Sequence, residues 1–473
     1  MSKRKLIVIG NGMAGARLLA ELLARGGDKF HITVFGDEPG GAYNRILLSD
    51  VLNGSKVPDS IVTHPLDWYQ RGGVTLRAGE RIVAIDREKQ TVTSDNGAVE
   101  SFDELVIATG SRALVPPMSG LTNENGERLK GVFVMRTLAD CHNIAGYAVK
   151  AGRAAVIGGG LLGLEAARGL MQHGAQVHLI HRSSCLMSAQ LDQDASDLLQ
   201  RQIETMGISV HLNKQTSGLL GDEQVTGLTF VDGTELRCDM VVLACGIVPN
   251  VELAQGAGLP VERAIVVDDG LQVAPHIYAV GECAQHRGQT YGLVAPVWEQ
   301  ARVLAQRLSG QSPDAQYSGS QVSTRLKVMG VELASMGEAR EREGDEVIQY
   351  VEARKGRYKK LVIRDNRLAG AVLLGDARKA AMLMQVFDGQ MPLPDERASL
   401  IFDIGKAAVA DVTTLADDAT VCNCNAVDAG TVRCAMRDGA NDLPAIMNAT
   451  RAGTGCGTCK GLVKEFLASG VKV

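Results

Sequence analysis

The clearest feature of the hydrophobic pattern is a unit that occurs twice. An apolar run at residues 6–9 is followed by a glycine-rich turn, an Ala/Leu-rich helical stretch that ends near Arg25, and a second apolar run at 31–35. About 150 residues later the same order returns, with apolar runs at 154–157 and 176–180. Each copy predicts a strand–turn–helix–strand unit of dinucleotide-binding type, so the sequence predicts an α/β fold with two Rossmann-like domains.

The two glycine-rich turns have the same spacing. They read Gly10-x-Gly12-x-x-Gly15 and Gly158-x-Gly160-x-x-Gly163. Such glycines let the backbone approach a pyrophosphate, and the following helix N-terminus supplies N–H donors and a positive dipole end. A single turn of this kind can also serve helix packing alone. Two copies in the right strand and helix context favour two dinucleotide sites.

Three further apolar runs end in glycine and fit the same architecture. Residues 105–110 and 240–246 read as buried strands, and the run 277–281 places Glu282 directly after a strand and a glycine. This layout resembles flavoproteins with two dinucleotide-binding domains, in which an acid at the position of Glu282 binds the ribityl chain of FAD. The structural alternative is an exposed acid in a loop.

The pattern changes after residue 323. Short alternating strands between 324 and 376 are separated by glycines, and a helical stretch runs from Ala377 to about Phe387. We interpret this region as an α+β domain that packs on the flavin side or forms a dimer interface. The segment 392–418 contains prolines and several acids and predicts a connection to a last small module.

Four cysteines in that module have the spacing of a metal centre. Cys422-x-Cys424 and Cys456-x-x-Cys459 are separated by 31 residues, and four thiolates suit either a [2Fe–2S] cluster or tetrahedral zinc. We favour iron–sulfur because structural zinc motifs more often have CxxC at both ends. A one-electron carrier would also complete a path from NAD(P)H through a flavin.

The other six cysteines predict no dithiol redox centre. None of them forms a CxxC or CxxxxC pair, and core packing is the favoured interpretation for most. They are Cys141, Cys185, Cys238, Cys245, Cys283 and Cys434.

Composition narrows the class of protein. At 473 residues, two to four domains are expected. The formal charge of −5 gives no electrostatic footprint for nucleic acid. The apolar runs are too short to span a bilayer. The first strand pattern begins next to Met1, so no signal peptide is expected. These features favour a cytoplasmic protein whose cysteines are thiols or metal ligands.

Several motifs together resemble one family. The flavoprotein part of bacterial NAD(P)H-dependent nitrite reductase large subunits has similar segments, and the last segment here resembles a bacterioferritin-associated-ferredoxin-type [2Fe–2S] domain. The residues that carry the resemblance are 10–15, 35–39, 43–45, 158–165, 187–192, 281–284, 292–296 and 453–459. The resemblance implies a glutathione-reductase-like fold that binds FAD, NAD(P)H and a [2Fe–2S] cluster.

The resemblance also implies residue roles. Gly10, Gly12 and Gly15 would hold the FAD pyrophosphate, with Glu38 or the neighbouring Asp37 on the adenosine ribose. Other positions implied to lie at the flavin are Arg45, Thr109, Gly110, Glu282, Pro296 and Trp298. Gly158, Gly160, Gly163 and Gly246 would hold the nicotinamide nucleotide, and Glu165 would lie near the nicotinamide as the one catalytic candidate. Cys422, Cys424, Cys456 and Cys459 would bind the cluster.

The choice of reductant depends on the end of the second strand in the second unit. An acid there binds the ribose 2′-OH of NAD and repels a 2′-phosphate. This sequence has His181-Arg182-Ser183 and no acid. We therefore expect NADPH to be used at least as well as NADH. The alternative is that Arg182 is merely solvated.

The resemblance stops short of a complete nitrite reductase. That family's large subunit continues into a sirohaem and [4Fe–4S] region, whereas this sequence stops at Val473. We therefore expect this protein to resemble the electron-transfer subunit of assimilatory nitrate reductases. That subunit passes electrons to a separate molybdenum-containing catalytic subunit. The alternatives are a stand-alone NAD(P)H:ferredoxin or rubredoxin reductase, an electron donor to a separate nitrite reductase, and a zinc-binding redox regulator.

The expected domains follow from these assignments. Residues 1–113 and 245–315 are expected to form a discontinuous FAD-binding domain, and 114–244 the NAD(P)H-binding domain. Residues 316–395 would form the α+β domain, 396–418 a linker, and 419–473 the [2Fe–2S] domain.

Overall fold

The computed structural model describes residues 3–402, 415–422, 425, 427–454 and 459–469. The chain divides into two compact units, neither of them contiguous in sequence. The first unit comprises residues 1–45, 57–112 and 247–320. The second unit comprises residues 46–56, 113–246 and 321–473. Among the described residues, no helix is long and apolar enough to cross a membrane.

The first 113 residues supply most of the first unit's central sheet. The helices are α1 (Met13–Gly26), α2 (Leu48–Leu52, which belongs to the second unit) and α3 (Leu66–Arg71). The strands are β1 (Arg4–Ile9), β2 (Phe30–Gly36), β3 (Ala42–Tyr43), β4 (Val62–His64), β5 (Val74–Ala78), β6 (Ile82–Asp86), β7 (Thr91–Ser94), β8 (Val99–Ser101), β9 (Glu104–Ile107) and β10 (Ser111–Ala113). Strands β1, β2, β5 and β9 pair in parallel.

Residues 114–246 form a five-stranded parallel sheet of the second unit and a small antiparallel sheet. The strands are β11 (Val132–Val134), β12 (Arg153–Ile157), β13 (Gln176–Ile180), β14 (Ser209–His211), β15 (Thr216–Leu220), β16 (Gly227–Phe230), β17 (Glu235–Arg237) and β18 (Met240–Leu243). The helices are α4 (Leu138–Ala148), α5 (Leu161–Gln172) and α6 (Gln193–Thr205). The parallel sheet has the order β11-β18-β12-β13-β14, and β15–β17 form an antiparallel sheet.

Residues 247–320 complete the first unit. They form β19 (Ile247–Pro249), α7 (Glu252–Gly256), β20 (Ile265–Val267), β21 (Gln272–Ala274), β22 (Ile277–Ala279), β23 (Ala284–His286) and α8 (Val294–Ser309). Strand β22 adds to β9 in parallel, so the central sheet has the order β21-β22-β9-β1-β2-β5. Its core includes the apolar residues of β1, β9 and β22 and the buried side of α1, with Leu18, Leu19 and Leu22. The predicted pair of βαβ units is confirmed.

The α+β region is an antiparallel sheet covered by one helix. Its elements are β24 (Ser323–Val328), β25 (Val331–Gly337), β26 (Glu346–Glu352), β27 (Arg357–Arg364), β28 (Arg367–Leu374) and α9 (Ala380–Asp388). The sheet order is β24-β25-β28-β27-β26. Helix α9 begins three residues later than the sequence predicts. The cause is Asp376, which accepts hydrogen bonds from the Arg378 backbone and guanidinium and folds the residues before the helix into a turn.

The last module is small and mainly helical. It contains β29 (Thr420–Cys422), β30 (Val427–Asp428), α10 (Ala429–Arg437), α11 (Leu443–Thr450) and α12 (Lys460–Ala468). Asp428 and Asp442 cap α10 and α11 by accepting from backbone N–H groups. In the predicted linker, Leu400 and Ile401 pack into the core of the α+β domain, so ordered structure continues past residue 395. Residues 403–414 of that linker lie outside the described residues.

Candidate functional site

The first glycine-rich turn joins β1 to α1 by close backbone contacts. A Cβ on Gly10 would lie 2.2 Å from the Ala108 carbonyl oxygen, and one on Gly15 would lie 2.0 Å from the Gly10 oxygen. Gly12 differs, because the nearest atoms to a Cβ there belong to the Arg45 side chain at 3.9 Å. Gly12 is also the N-cap of α1 and provides no side-chain acceptor. The first-turn N–H groups are therefore available to an anion.

The structure distinguishes Asp37 from Glu38, the two acids after β2 between which the sequence does not choose. Glu38 accepts a hydrogen bond from the Tyr43 hydroxyl at 2.7 Å and pairs with Arg45, which lies beside Gly12. Asp37 is more exposed and pairs with Arg81 at 3.3 Å. The geometry therefore favours Glu38 over Asp37 as the acid beside the first turn. Arg45 contacts this acid and stacks on the Tyr43 ring.

Thr109 and Gly110, at the end of β9, are held by a residue that sequence reasoning missed. Asn250 donates from Nδ2 to the Thr109 oxygen at 2.8 Å, and its backbone N–H donates to the Gly110 oxygen at 2.9 Å. The Thr109 hydroxyl donates back to the Asn250 oxygen at 3.0 Å. Gly110 has a φ of 65°, which glycine adopts readily. Because Asn250 is about 140 residues away in sequence, no local pattern indicates it.

Glu282 lies in a tightly packed loop after β22. Its carboxylate accepts a hydrogen bond from the Ser111 hydroxyl at 2.6 Å. Gly281 has a φ of 88°, and a Cβ on it would lie 2.8 Å from the Ala14 Cβ of α1. The buried Gln300 of α8 accepts from the Gly281 N–H at 2.8 Å. This loop and the first glycine-rich turn are therefore brought together, as a shared flavin site requires.

Pro296 and Trp298 both lie in the first turns of α8. Pro296 is buried, and the Arg17 guanidinium of α1 lies over the Trp298 ring at 5.6 Å from its centre. Helix α8, which begins at Val294, thus packs on α1.

The second glycine-rich turn repeats the contacts of the first. A Cβ on Gly158 would lie 2.1 Å from the Ala244 oxygen, and one on Gly163 would lie 1.8 Å from the Gly158 oxygen. Around Gly160, the N-cap of α5, no described atom comes within 4 Å of the Cβ position, and no side chain caps the helix. The repeat in sequence is therefore a repeat in three dimensions, with an open central position in both turns.

His181 braces this second turn from the end of β13. Its Nδ1 accepts a hydrogen bond from the Gly159 N–H at 3.1 Å, and its Nε2 lies 3.2 Å from the Cys185 oxygen. This pairing requires a neutral ring with the proton on Nε2. Burial lowers the pKa of His181, and the nearby Arg182 lowers it further, against an opposing effect of the Cys185 oxygen.

Arg182 follows β13 and Gly246 follows β18, and these two strands lie on either side of β12 in the sheet. Arg182 is exposed at the end of β13, and in the described part of the chain no ion pair engages it. Gly246 follows β18 with a φ of 118°. Its carbonyl accepts from the Leu114 N–H at 2.9 Å.

Glu165, the predicted catalytic candidate, lies buried on α5, the helix that follows the second glycine-rich turn. Its Oε1 accepts from the Met329 N–H at 3.1 Å, in the turn between β24 and β25. Burial raises the pKa of Glu165. Hydrogen bonds from Met329 and Ser49 and the charge of Arg168 oppose that effect, and Asp50 adds to it. Glu165 therefore joins α5 to the α+β domain, a contact that sequence reasoning missed.

Two of the four predicted cluster ligands are described. Cys422 and Cys459 are both buried in the core of the last module. Asn425 donates from Nδ2 towards the Cys422 sulfur at 3.9 Å, as donors around cluster sulfurs do. Cys424 and Cys456 lie outside the described residues. Two thiols in one core, one of them facing an amide donor, fit a thiolate-bound centre.

The remaining cysteines do not form a redox pair. No described cysteine is in a disulfide. Burial raises the pKa of Cys141 and Cys238 to about 12, so both stay thiols at neutral pH. Cys434 is exposed on α10. The interpretation of Cys141, Cys185, Cys238 and Cys283 as core residues agrees with their burial.

Three family profiles match consecutive parts of the chain. Residues 4–303 match the pyridine nucleotide-disulphide oxidoreductase family. Residues 323–390 match the rubredoxin NAD+ reductase C-terminal domain, and residues 420–469 match the BFD-like [2Fe-2S] binding domain.

Two relatives from Bacillus subtilis (strain 168) match nearly the whole chain. The chain is 42% identical to a nitrite reductase, NAD(P)H, over 99% of its own length and 58% of the relative. It is 39% identical to an assimilatory nitrate reductase electron transfer subunit over 99% of its own length and 60% of the relative. The chain thus spans about three fifths of the length of each.

Solved structures support the fold. A ferredoxin reductase from Rhodopseudomonas palustris superposes with a TM-score of 0.75 at 26% identity, covering 84% of this chain and 97% of that one. The covalent putidaredoxin reductase–putidaredoxin complex gives a TM-score of 0.76 at 24% identity, covering 85% and 98%. The matched residues include both glycine-rich turns, and the chain therefore belongs to the pyridine nucleotide-disulphide oxidoreductase family, with a BFD-like [2Fe–2S] binding domain at residues 420–469.

Proposed function

We propose that this protein oxidises NAD(P)H and passes the electrons, by way of FAD and a [2Fe–2S] cluster, to a separate protein acceptor. The observation that carries the proposal is the presence, on one chain, of two open glycine-rich turns and a cysteine module of the BFD-like type. When bound, FAD takes two electrons as a hydride and releases them singly, and the cluster carries one at a time.

The protein's own contribution is binding and orientation. The first turn, with Gly12 at its open position, holds the FAD pyrophosphate, and Glu38 accepts from the adenosine ribose. Glu282 and the Thr109–Gly110 pair lie along the flavin, held in place by Ser111 and Asn250. The second turn, with Gly160 at its open position, holds the nicotinamide nucleotide. Hydride transfer needs no protein acid, so Glu165 acts by fixing the geometry of α5.

NADPH is the favoured reductant in this proposal. Arg182 is exposed where the ribose of a nucleotide on the second turn would be expected. Neighbouring His181 keeps the turn in shape and is not a carboxylate. A guanidinium at this position favours a 2′-phosphate, since arginine binds phosphate in a bidentate manner.

The proposed acceptor is the molybdenum-containing catalytic subunit of an assimilatory nitrate reductase. Support comes from the relative named as the electron transfer subunit of such a system. A separate nitrite reductase is the second candidate, because the relative of 42% identity carries that name. Adding purified nitrate reductase catalytic subunit should give NADPH-dependent nitrate reduction. Reduction of nitrite only, by an added nitrite reductase, would select the second candidate.

The cofactor proposal is tested by the visible spectrum of anaerobically purified protein, with iron and sulfide quantified. We expect a flavin band and about two irons and two sulfides per chain. Stoichiometric NADPH should bleach both chromophores. Zinc at the cysteines without iron or sulfide would contradict the electron path and support a structural or regulatory module.

A further inference from the structure

Segment 46–56 is a short part of the second unit that interrupts the first unit in sequence. Ile46 directly follows Arg45 in the chain, yet the segment packs in the second unit against α4 and α5. The Cys141 thiol donates to the Leu48 oxygen at 3.5 Å, and His173 Nε2 lies 2.8 Å from the Leu52 oxygen. Helix α2 is therefore fixed on the nucleotide-binding domain.

The turn after α2 holds Lys56 in a defined direction. The Asp50 carbonyl accepts hydrogen bonds from the Lys56 N–H at 3.1 Å and from the Ser55 hydroxyl at 3.2 Å. The Ser55 N–H donates to the Asn53 side chain at 2.9 Å. The turn is closed by its own hydrogen bonds, and the Lys56 side chain bonds to a residue that is distant in sequence.

That partner is the loop that leads to the cluster ligands. Lys56 Nζ donates to the Thr454 carbonyl at 3.4 Å, although the two residues are 398 positions apart. Cys456 follows two residues after Thr454 in the sequence. The same loop is tied to a second ligand, since Asn425 Nδ2 contacts the Thr454 hydroxyl at 3.1 Å, the Arg451 oxygen at 2.7 Å and the Cys422 sulfur at 3.9 Å.

We propose that Lys56 is a positioning residue that seats the loop at residues 451–454 on segment 46–56 and thereby sets the rate at which the cluster of the last module is reduced. This inference rests on the proposed function. Each NAD(P)H gives up a hydride, that is, two electrons and one proton, and leaves as NAD(P)⁺. A bound cluster would take these two electrons one at a time, and the proton would be released to solvent.

The test compares Lys56→Met with the wild-type holoprotein, full length and loaded with both cofactors. The control is Lys464→Met, which removes the charge of an exposed lysine on α12 of the same module. Stopped-flow bleaching of the flavin by NADPH should be unchanged in both variants. The reduced-cluster signal in freeze-quenched electron paramagnetic resonance should appear about tenfold more slowly in Lys56→Met only, as expected for loss of one charge-assisted hydrogen bond.

Hydrogen exchange provides a readout that does not depend on turnover. Amides of residues 450–454 should exchange faster in Lys56→Met than in wild type or Lys464→Met, and Lys56→Arg should restore part of the protection. Unchanged exchange together with wild-type cluster reduction in Lys56→Met would overturn the proposal. Slowing of flavin bleaching in Lys56→Met by the same factor as cluster reduction would also overturn it. If NADPH fails to reduce the wild-type cluster, the electron path is wrong, while the exchange comparison still decides whether Lys56 seats the loop.

Discussion

At the scale of single residues, His181 shows how a neutral imidazole can brace a glycine-rich turn, here the second one. Its two ring nitrogens face one donor and one acceptor, the Gly159 N–H and the Cys185 oxygen. A proton added to Nδ1 would point a second donor at the Gly159 N–H and break this contact. Because burial lowers the pKa of His181 from 6.5, the neutral form persists at neutral pH and is lost as the pH falls through the lowered pKa.

Nucleotide affinity should therefore weaken in acid. We expect the Kd of wild-type protein for NADPH to rise, by up to about tenfold, as the pH falls below the lowered pKa. His181→Asn keeps an acceptor near the position of Nδ1 but has no ionisable ring. It should remove this pH dependence of the Kd, measured by isothermal titration calorimetry between pH 5 and 8. His178→Asn is the control, since His178 is similarly half-buried but contacts His211. Identical pH profiles for wild type and His181→Asn would refute the role.

The prediction that NADPH is used at least as well as NADH depends on Arg182. Arg182→Glu should lower the ratio of kcat/KM for NADPH to that for NADH by about tenfold or more, because a phosphate would then face a carboxylate. Steady-state kinetics with a dye acceptor measures the ratio. Arg237→Glu makes the same charge change on exposed β17 and should leave the ratio unaltered. An unchanged ratio in Arg182→Glu would mean that this arginine is only solvated.

At the scale of elements, a buried polar cluster joins α6 to β27. Asp192 caps α6 by accepting from the Ala195 N–H, and its other carboxylate oxygen accepts from the Tyr358 hydroxyl at 2.6 Å and from Lys360 at 2.9 Å. The Asp192 and Lys360 side chains are 10% and 7% exposed. Burial lowers the pKa of Lys360, but Asp192 and Glu341 outweigh that effect and raise it. Lys360 is therefore charged at neutral pH, and the cluster supplies its hydrogen-bond acceptors.

Breaking this cluster should cost more than breaking an exposed ion pair. Lys360→Met leaves the Asp192 carboxylate buried without its cation, and we expect a loss of about 3 kcal/mol in the free energy of unfolding. Asp192→Asn combined with Lys360→Met should recover part of that loss. Lys355→Met, which breaks an exposed pair with Glu352, should cost less than about 1 kcal/mol. Urea unfolding measures all three, and equal losses in Lys360→Met and Lys355→Met would contradict the expectation.

Local signals account for what the sequence predicted at this scale. The glycines of each turn lie within a few residues of one another in the sequence, so their spacing alone indicates both turns. The assignment of α2 to the second unit was not predictable, because its partners on α4 and α5 are about 100 residues away and leave no periodic pattern. Asn250 and Asn425 were missed for the same reason, since each acts through hydrogen bonds to distant segments. Glu38 could be chosen over Asp37 as the acid beside the first turn only from the hydrogen-bond partners of the two side chains, which the sequence does not show.

At the scale of the whole molecule, the proposed electron path should be separable into two halves. Cys459→Ala removes a buried thiol of the last module, whereas the residues proposed to bind the flavin lie in the first unit. The variant should keep its FAD and wild-type NADPH oxidation with a two-electron dye, but lose the cluster's iron, sulfide and electron transfer to a one-electron acceptor. Spectra and dye assays measure both. Retained one-electron transfer without iron would show that the flavin serves the acceptor directly.

The alternation of the two units along the chain has a consequence for biosynthesis. The first unit ends its N-terminal contribution at residue 112, but β22, which covers the edge of β9, is not made until residues 277–279. A ribosome adding about 5–20 residues per second needs about ten to thirty seconds for that interval. In that interval the unpaired edge of β9 and the apolar face of the incomplete sheet are exposed and are available for chaperone binding. Translation speed between codons 113 and 276 should therefore affect the yield of native protein more than translation speed after residue 320.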